Sequence, residues 1–311
     1  MKTQHHHYHV GIDISKQVLD IFCPFWTKTR SFPNTKAGVS RCLKLLKGKP
    51  HLVCEATGGY EKTLVSIAHI HDIPLSVVNP RQVRDFARAS GCLAKTDSID
   101  ASMIAGYADC FKPTPDAVPS PEHCALREAV RRRDSIVRLR SKEKGRLDRE
   151  LDAFVRKDIK TLIGVLDRRI AKFDKHIDKL VLADPVMVAK KERMEEVKSI
   201  GRVVSTTLLS ELPELGSMSE KQASSLSGLA PFNRDSGTMR GKRVIVGGRG
   251  LVRRTLYMPA LCATRHNPIL RDFYAGLIAR GKPHHVAITA VMRKLVCLLN
   301  RMLREPNFTP Q

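Results

Sequence analysis

No run of 18 or more apolar residues occurs in this 311-residue chain, so no segment has the length and apolarity of a membrane-spanning helix. The first residues carry no secretory apolar segment and neither end carries a lipidation signal, so no membrane partner is expected. Among the eight cysteines (Cys23, Cys42, Cys54, Cys92, Cys110, Cys124, Cys262, Cys297) there is no C-x-x-C pair, which removes the usual spacing of a zinc site. Several lie inside apolar runs and read as core thiols of a cytoplasmic, reducing environment. Acidic residues are scarce: 31 Asp and Glu against 54 Lys and Arg, a formal net charge of +23 and a pI near 10.0. Solubility needs far less charge than this, and with lipid set aside the polyanionic partner predicted is nucleic acid. The tract His5-His6-His7-Tyr8-His9 leads into the first strand and is assigned no function.

Against this background stands an acid in an unusual place. Val10, Ile12 and Ile14 in His9-Val10-Gly11-Ile12-Asp13-Ile14-Ser15-Lys16 are β-branched and predict a buried strand. Asp13 lies in its middle, where a carboxylate is costly to desolvate unless it is paired, hydrogen-bonded or bound to a cation. A strand-end Asp serving a turn is the alternative, so partner carboxylates downstream decide the matter.

Residues 1–112 read as a mixed α/β catalytic domain. Strands are predicted at 9–15, 17–25 and 28–32, a helix at 35–47, a strand from His51 to Cys54 ending at Glu55, a helix at 60–71, a strand at 75–78, a helix at 80–89 and a last helix from near Thr96. Three antiparallel strands followed by alternating helices and strands form the ribonuclease-H-like (RuvC-like) arrangement. Prolines 113, 115, 119 and 121 mark a linker. Residues 113–194 read as that linker followed by long charged helices. Between 127 and 160 there are 13 basic and 7 acidic residues. A narrow stripe of Leu139, Leu147, Leu151, Phe154, Leu162, Leu166, Phe173, Ile177 and Leu180 predicts a coiled-coil hairpin, or else a solvated helical spacer. Asp184-Pro185 breaks the helices. Residues 195–311 form a mainly α C-terminal domain, and from Pro231 to Arg304 it holds 15 Lys and Arg against two acids. Over half of the excess charge therefore sits in 74 residues, which locates the main nucleic-acid face.

Glu55 opens Glu55-Ala56-Thr57-Gly58-Gly59-Tyr60, whose glycines suit a tight strand-to-helix crossing. Asp97 and Asp100 lie at i and i+3 in the first turn of a helix and share one face. Helix capping is the simpler reading of that pair alone. In a ribonuclease-H-like layout, however, the first strand's middle, the fourth strand's end and the last helix converge. Four carboxylates gathered there call for divalent cations, predicted as Mg²⁺, with Mn²⁺ a substitute and two ions about 3.5–4 Å apart the usual solution for phosphodiester chemistry. A sugar-kinase-type phosphate site is set aside because Ser15-Lys16-Gln17 replaces the glycine-rich turn such a site requires.

In the basic region, Ser236 lies between Asp235 and Gly237 and is surrounded by Arg234, Arg240, Lys242, Arg243, Arg249, Arg253 and Arg254, the candidate nucleic-acid contacts. Guanidinium groups there would grip a phosphodiester. Spacing leaves Ser236 as either a turn serine of a DNA-binding loop or a nucleophile forming a phosphoserine link. Ser199-Ile200-Gly201-Arg202-Val203 resembles a worn helix–hairpin–helix phosphate-binding turn.

Gly11-Ile12-Asp13-Ile14-Ser15-Lys16, Glu55-Ala56-Thr57-Gly58-Gly59-Tyr60, Lys95-Thr96-Asp97-Ser98-Ile99-Asp100-Ala101 and Gly228-Leu229-Ala230-Pro231-Phe232-Asn233-Arg234-Asp235-Ser236-Gly237 together resemble the DEDD transposases of insertion sequences. These are recombinases guided by a bridge RNA and related to Piv-type DNA invertases. The resemblance runs through nearly the whole chain in the family's order. It implies that Asp13, Glu55, Asp97 and Asp100 are catalytic metal ligands and that Ser236 is the nucleophile. It further implies a composite site in a dimer or tetramer, with donor and target DNA chosen by pairing with a structured RNA. Two alternatives remain open on the residues alone: a RuvC-type nuclease using water in place of the serine, and a non-catalytic nucleic-acid-binding scaffold.

Overall fold

The computed structural model describes residues 7–92, 97–117, 119–233, 235–237, 239, 241 and 243–309, the side chains of Asp97 and Ser98 excepted. The chain divides into two compact units, Met1–Val118 and Pro119–Gln311. The division falls inside the predicted proline linker.

The first unit holds β1 (His7–Ile14), β2 (Val18–Phe22), β3 (Arg30–Pro33), α1 (Lys36–Leu43), β4 (Lys49–Glu55), α2 (Lys62–Ile70), β5 (Leu75–Val78), α3 (Pro80–Ala89) and α4 (Asp97–Phe111). Its sheet has the order β3-β2-β1-β4-β5. β1, β2 and β3 are antiparallel neighbours, whereas β4 pairs parallel with both β1 and β5. This is a mixed α/β sheet of ribonuclease-H-like order. β2 and α1 are shorter than predicted, since Cys23 to Thr29 turns back and Lys44 to Gly48 leaves the helix.

Alternation along β1 decides what each residue meets. Val10, Ile12 and Ile14 face Val39, Cys42, Leu43, Leu64 and Ile67, and share a core with them. Val10 and Ile12 are fully buried, each burial contributing about 1.5–3 kcal/mol. Gly11 and Asp13 face the opposite side, where Val53 packs with Ile104, Tyr107 and Ala108 of α4. Gly11 lets that helix close onto the strand: a Cβ on it would lie 2.0 Å from the Ala101 carbonyl oxygen and 2.6 Å from the Ala105 nitrogen. At the other end of the contact His9 Nδ1 meets Asp109 Oδ1 at 2.7 Å. α4 therefore runs antiparallel to β1, and its first turn comes level with Asp13.

The second unit is helical: α5 (Pro121–Leu147), α6 (Ala153–Leu182), α7 (Pro185–Glu195), α8 (Arg202–Glu211), α9 (Glu220–Leu226), a short hairpin of β6 (Pro231–Phe232) and β7 (Val244–Ile245), α10 (Gly250–His266), α11 (Pro268–Ala279) and α12 (His284–Arg304). Ser120-Pro121, Asp184-Pro185 and Asn267-Pro268 each place a capping side chain before a proline at the first helical position. Such caps are worth about 1 kcal/mol. Asp184-Pro185 thus both ends α6 and starts α7.

α5 and α6 form an antiparallel hairpin, registered by Arg133 on Asp174 at 2.6 Å and Arg140 on Asp167 at 2.7 Å. Its seam differs from the predicted stripe. Ile136, Leu166 and Ile170 form the apolar contact, with Val137 and Phe173 packed against it. Leu139, Leu162, Leu151 and Phe154 are exposed, the last two at 93% and 82%. In α6 the predicted Leu166, Phe173, Ile177 and Leu180 do pack inward; the stripe fails around the turn, where Leu151 lies between the helices and Phe154 opens α6. Residues on both sides of the predicted boundary at 194, such as Leu126, Ile177, Leu208 and Leu295, share one core. At its centre α8 is buried from Ser205 to Glu211. Among the described residues no helix is long and apolar enough to cross a membrane.

Candidate active site

Asp13 is half-buried, and its Oδ1 accepts the Ile14 N–H at 3.0 Å. Just beyond it the chain turns on Ser15, whose N–H donates to the Val18 carbonyl at 2.9 Å. In the parallel β1–β4 pairing Gly11 faces Val53 and Ile12 faces Cys54, so Glu55 stands one step further on, beside Asp13. On the other flank the antiparallel pairing sets Asp20 of β2 directly opposite Asp13. Three acids on three adjacent strands thus reach one level on the face that α4 covers. Asp20 was not among the predicted acids. The alternation Val18-Leu19-Asp20-Ile21 carried the signal, but only the register reveals its neighbour. Its Oδ1 accepts the Ser31 hydroxyl at 2.5 Å.

Asp100 is half-buried in the first turn of α4, next to the Ala101 that touches Gly11. Asp97 begins the helix, and its side chain lies outside the described residues. Among the described residues no three His, Cys, Asp or Glu close into a metal-holding group. The donor chemistry nevertheless fits a hard cation. Every acid at this end of the sheet offers carboxylate oxygen alone, which suits Mg²⁺ or Mn²⁺ and disfavours softer metals. Asp13 stands opposite Asp20 as a like-charged cross-strand pair, an arrangement that a cation held between them would relieve.

The loop after β4 is fixed by a residue that sequence reasoning passed over. Glu61 Oε2 accepts the Thr57 hydroxyl at 2.7 Å and the N–H groups of Gly59 and Thr57 at 2.9 and 3.2 Å. Burial pushes the Glu61 carboxyl up, but these bonds and its own N–H outweigh it and hold the group below the ordinary range. Gly58 and Gly59 take positive φ, 75° and 123°, which a side chain would strain. Asn34 ties this loop to the turn after β1: its Nδ2 donates to the carbonyls of Ser15 and Tyr60, both at 3.0 Å. Asn34 and Glu61 thereby hold the two loops that border Asp13 and Glu55.

In the second unit Ser236 is exposed near the tip of the β6–β7 hairpin. It exchanges backbone hydrogen bonds with Met239, 3.1 Å from its N–H and 3.0 Å to its carbonyl, around Gly237 at φ 55°. Asp235 Oδ1 accepts the Gly241 N–H at 3.1 Å. Arg234, Arg240 and Lys242 lie outside the described residues, and Arg243 is exposed. Three other predicted contacts are engaged within the protein. Arg249 forks onto Glu214 with both contacts at 2.6 Å, and Arg254 meets Asp134 at 3.0 Å. Arg253 donates to the carbonyls of Gly228 and Gly247 at 3.2 and 2.9 Å. Arg253 clamps the neck of the hairpin, where its two flanking segments approach so closely that a Cβ on Gly248 would lie 2.1 Å from the Gly228 nitrogen. Gly201 caps α8, and Arg202 beside it is paired with Asp174 and Asp178 at 3.0 and 2.9 Å.

Two family models match this chain. One described as "Transposase" covers residues 10–155, and one described as "Transposase IS116/IS110/IS902 family" covers residues 191–275. The chain is similar to the pilin gene-inverting proteins of Moraxella lacunata and Moraxella bovis, each 27% identical over 310 residues and covering 96% of both chains. It is also 33% identical over 85 residues to an uncharacterized 43.6 kDa protein of insertion element IS110 from Streptomyces coelicolor, a match covering 27% of this chain and 21% of that one. The first model spans the sheet with Asp13, Glu55, Asp97 and Asp100; the second contains the Ser236 hairpin. With both halves matched in order, the chain belongs to the IS110-type transposases and recombinases, DNA-modifying enzymes whose DEDD domain is ribonuclease-H-like.

Proposed function

We propose that this protein cuts and rejoins DNA through a serine–DNA intermediate, using Asp13, Glu55, Asp97 and Asp100 as the divalent-metal acids and Ser236 as the nucleophile. The observation that carries the reading is the register: β1, β4 and the start of α4 bring acids far apart in sequence to one end of the sheet. Inversion of a pilin gene, which the names of the Moraxella relatives state of those proteins, is a reaction of this kind.

Asp13, Glu55, Asp97 and Asp100 would hold a Mg²⁺ or Mn²⁺ ion, which when bound would supply polarisation of the scissile phosphate. The remaining chemistry belongs to the chain's own residues. Ser236 Oγ attacks phosphorus and gives up its proton to a base. The bond from phosphorus to one deoxyribose oxygen breaks, and that oxygen takes a proton. The phosphoserine ester conserves the bond, so attack by the hydroxyl of a second strand end restores DNA and serine. The basic hairpin supplies phosphate affinity without reading sequence. Site choice is then delegated to a structured RNA that pairs with donor and target DNA, and the acids of one subunit act with the serine of another in a dimer or tetramer.

A second reading, a RuvC-type nuclease that uses water, draws on the tight turn that Ser236 makes with Met239. Incubating the protein and its RNA with labelled DNA and resolving the products on a denaturing gel separates the two. A protein–DNA adduct that forms with the native chain and is missing in Ser236→Ala, in Asp13→Asn and in Glu55→Gln is expected. Nicking by Ser236→Ala at the native rate with no adduct would establish the nuclease instead.

A further inference from the structure

In the second unit α9, α11, α12 and the segment after α12 wall a cavity of about 780 Å³, within the range of roughly 300–1,000 Å³ typical of small-ligand sites. Nothing in the recombination chemistry uses it. Its lining is sorted by chemistry. Arg293, Lys294 and Arg301 of α12 are cationic, Phe273 and Phe308 are aromatic, and Glu220 supplies one carboxylate. Lys294 Nζ lies 4.3 Å from the Phe273 ring centroid, and the Arg301 guanidinium lies 4.2 Å from that of Phe308. Arg301 is shared with Glu305 at 2.8 Å. Arg293 Nε donates to the Ser224 hydroxyl at 3.2 Å, and among the described residues neither Arg293 nor Lys294 makes an ion pair.

We infer that this cavity takes an unstacked nucleotide of a single-stranded nucleic acid, its phosphate on Arg293 and Lys294 and its base against the Phe273 and Phe308 side. Phe273 and Phe308 are half-buried, each with a cation over its ring, and with the planar Arg301 guanidinium they form the side of the lining against which a base packs. Arg293 and Lys294, neither of them in an ion pair among the described residues, offer a docking point for the backbone phosphate, in a stretch whose net charge from Pro231 to Arg304 is +13. Glu220 is an acceptor for a base amino group, a contact that gives preference without demanding one sequence. A duplex keeps its bases stacked inside and cannot fill the pocket, whereas a loop, a displaced strand or a flipped nucleotide can. The inference rests on the nucleic-acid partner proposed above but not on the serine chemistry.

The test uses the full-length protein, without divalent cation so that no strand is cut. Fluorescent 12-nucleotide RNA and DNA single strands and the matching DNA duplex are titrated at fixed salt. Phe273→Leu and Lys294→Gln are expected to weaken single-strand binding by about tenfold and to change duplex binding less than about twofold, while Phe273→Trp keeps the native affinity. Strands carrying 4-thiouridine or 4-thiothymidine should crosslink to peptides containing Phe273, Phe308 or Arg293 to Arg301. Stronger binding by RNA or by DNA identifies which source fills the pocket. Equal losses for single strands and duplex, or crosslinks that avoid these peptides, overturn the inference. Because Lys294 is exposed, its substitution and the crosslink map carry the test even if Phe273→Leu perturbs the fold. Failure here leaves the adduct experiment untouched, so the two readings fail separately.

Discussion

Gly11 of β1 lies against the backbone of Ala101 in α4, so close that a methyl group on Gly11 would sit 2.0 Å from the Ala101 carbonyl oxygen. That contact sets how far α4 descends onto the sheet, and with it the height at which Asp100 stands relative to Asp13, two residues along the strand. A small change at Gly11 therefore acts on the acids without touching one of them.

Gly11→Ala should push α4 off the sheet and destabilise the first unit by about 1–3 kcal/mol, the usual cost of overpacking, with strand cleavage lost. Gly106→Ala provides the control on the same helix. Its Cβ would meet the Phe86 ring at 3.5 Å, an ordinary contact, and replacing a helical glycine gains up to about 1 kcal/mol. Urea unfolding of both variants checks the pair of outcomes.

Divalent cation should stabilise the native chain. With Mg²⁺ or Mn²⁺ at a hundred times its dissociation constant the gain is about 2.7 kcal/mol, visible as a raised melting temperature that EDTA removes. Asp13→Asn and Glu55→Gln should abolish the increment. Asp20→Asn, which relieves a like-charged cross-strand pair, should raise stability most in metal-free buffer.

The neck of the Ser236 hairpin should be intolerant of side chains. Gly228 and Gly248 both have φ of 68°, and their added Cβ atoms would lie 2.5 Å from the Gly247 oxygen and 2.1 Å from the Gly228 nitrogen. Alanine at either position should cost about 1–3 kcal/mol and lower adduct yield while Asp13 and its neighbours keep their metal response. Gly237→Ala, which meets nothing within 4 Å but has φ of 55°, should act more mildly on stability. Thermal melts alongside adduct gels measure both effects.

The Arg249–Glu214 pair predicts a pH dependence. Burial pushes the Glu214 carboxyl up, but hydrogen bonding to Arg249 outweighs it and holds the folded-state pKa below the ordinary 4.5. A depressed carboxyl contributes stability above its unfolded value and loses it as pH falls through the folded one. The native chain should therefore exceed Glu214→Gln in stability at neutral pH. The gap should narrow as pH is lowered from the ordinary value through the depressed one, as chemical denaturation at a series of pH values would show.

Glu61→Ala should loosen the loop after β4, because three hydrogen bonds converge on one oxygen. The expected outcome is faster proteolysis at Thr57 to Tyr60 with the sheet intact, and a fall in strand cleavage of about tenfold or more, an order consistent with misplacing a group that borders the reacting centre. Limited proteolysis read beside cleavage rates separates this from global unfolding.

The sequence by itself determined the element types of the first unit, the linker, the break at Asp184-Pro185 and the acids Asp13, Glu55, Asp97 and Asp100 as candidates, because alternation, proline and capping residues act over a few neighbours. Tertiary structure alone decided what stands beside what. Asp20 becomes a neighbour of Asp13 only through strand register, and Glu61 and Asn34 matter only because two loops meet. The α5–α6 seam runs through Ile136, Leu166 and Ile170, leaving Leu151 in the connection and Phe154 at the start of α6 exposed, because apolar spacing does not say where a helix ends or which part of it a partner will cover. Arg249, Arg253 and Arg254 look alike in a basic run, yet each is held by a group distant in sequence. Which cation stays available to a phosphate depends on where the acids and carbonyls of other elements arrive, and local sequence carries no record of that.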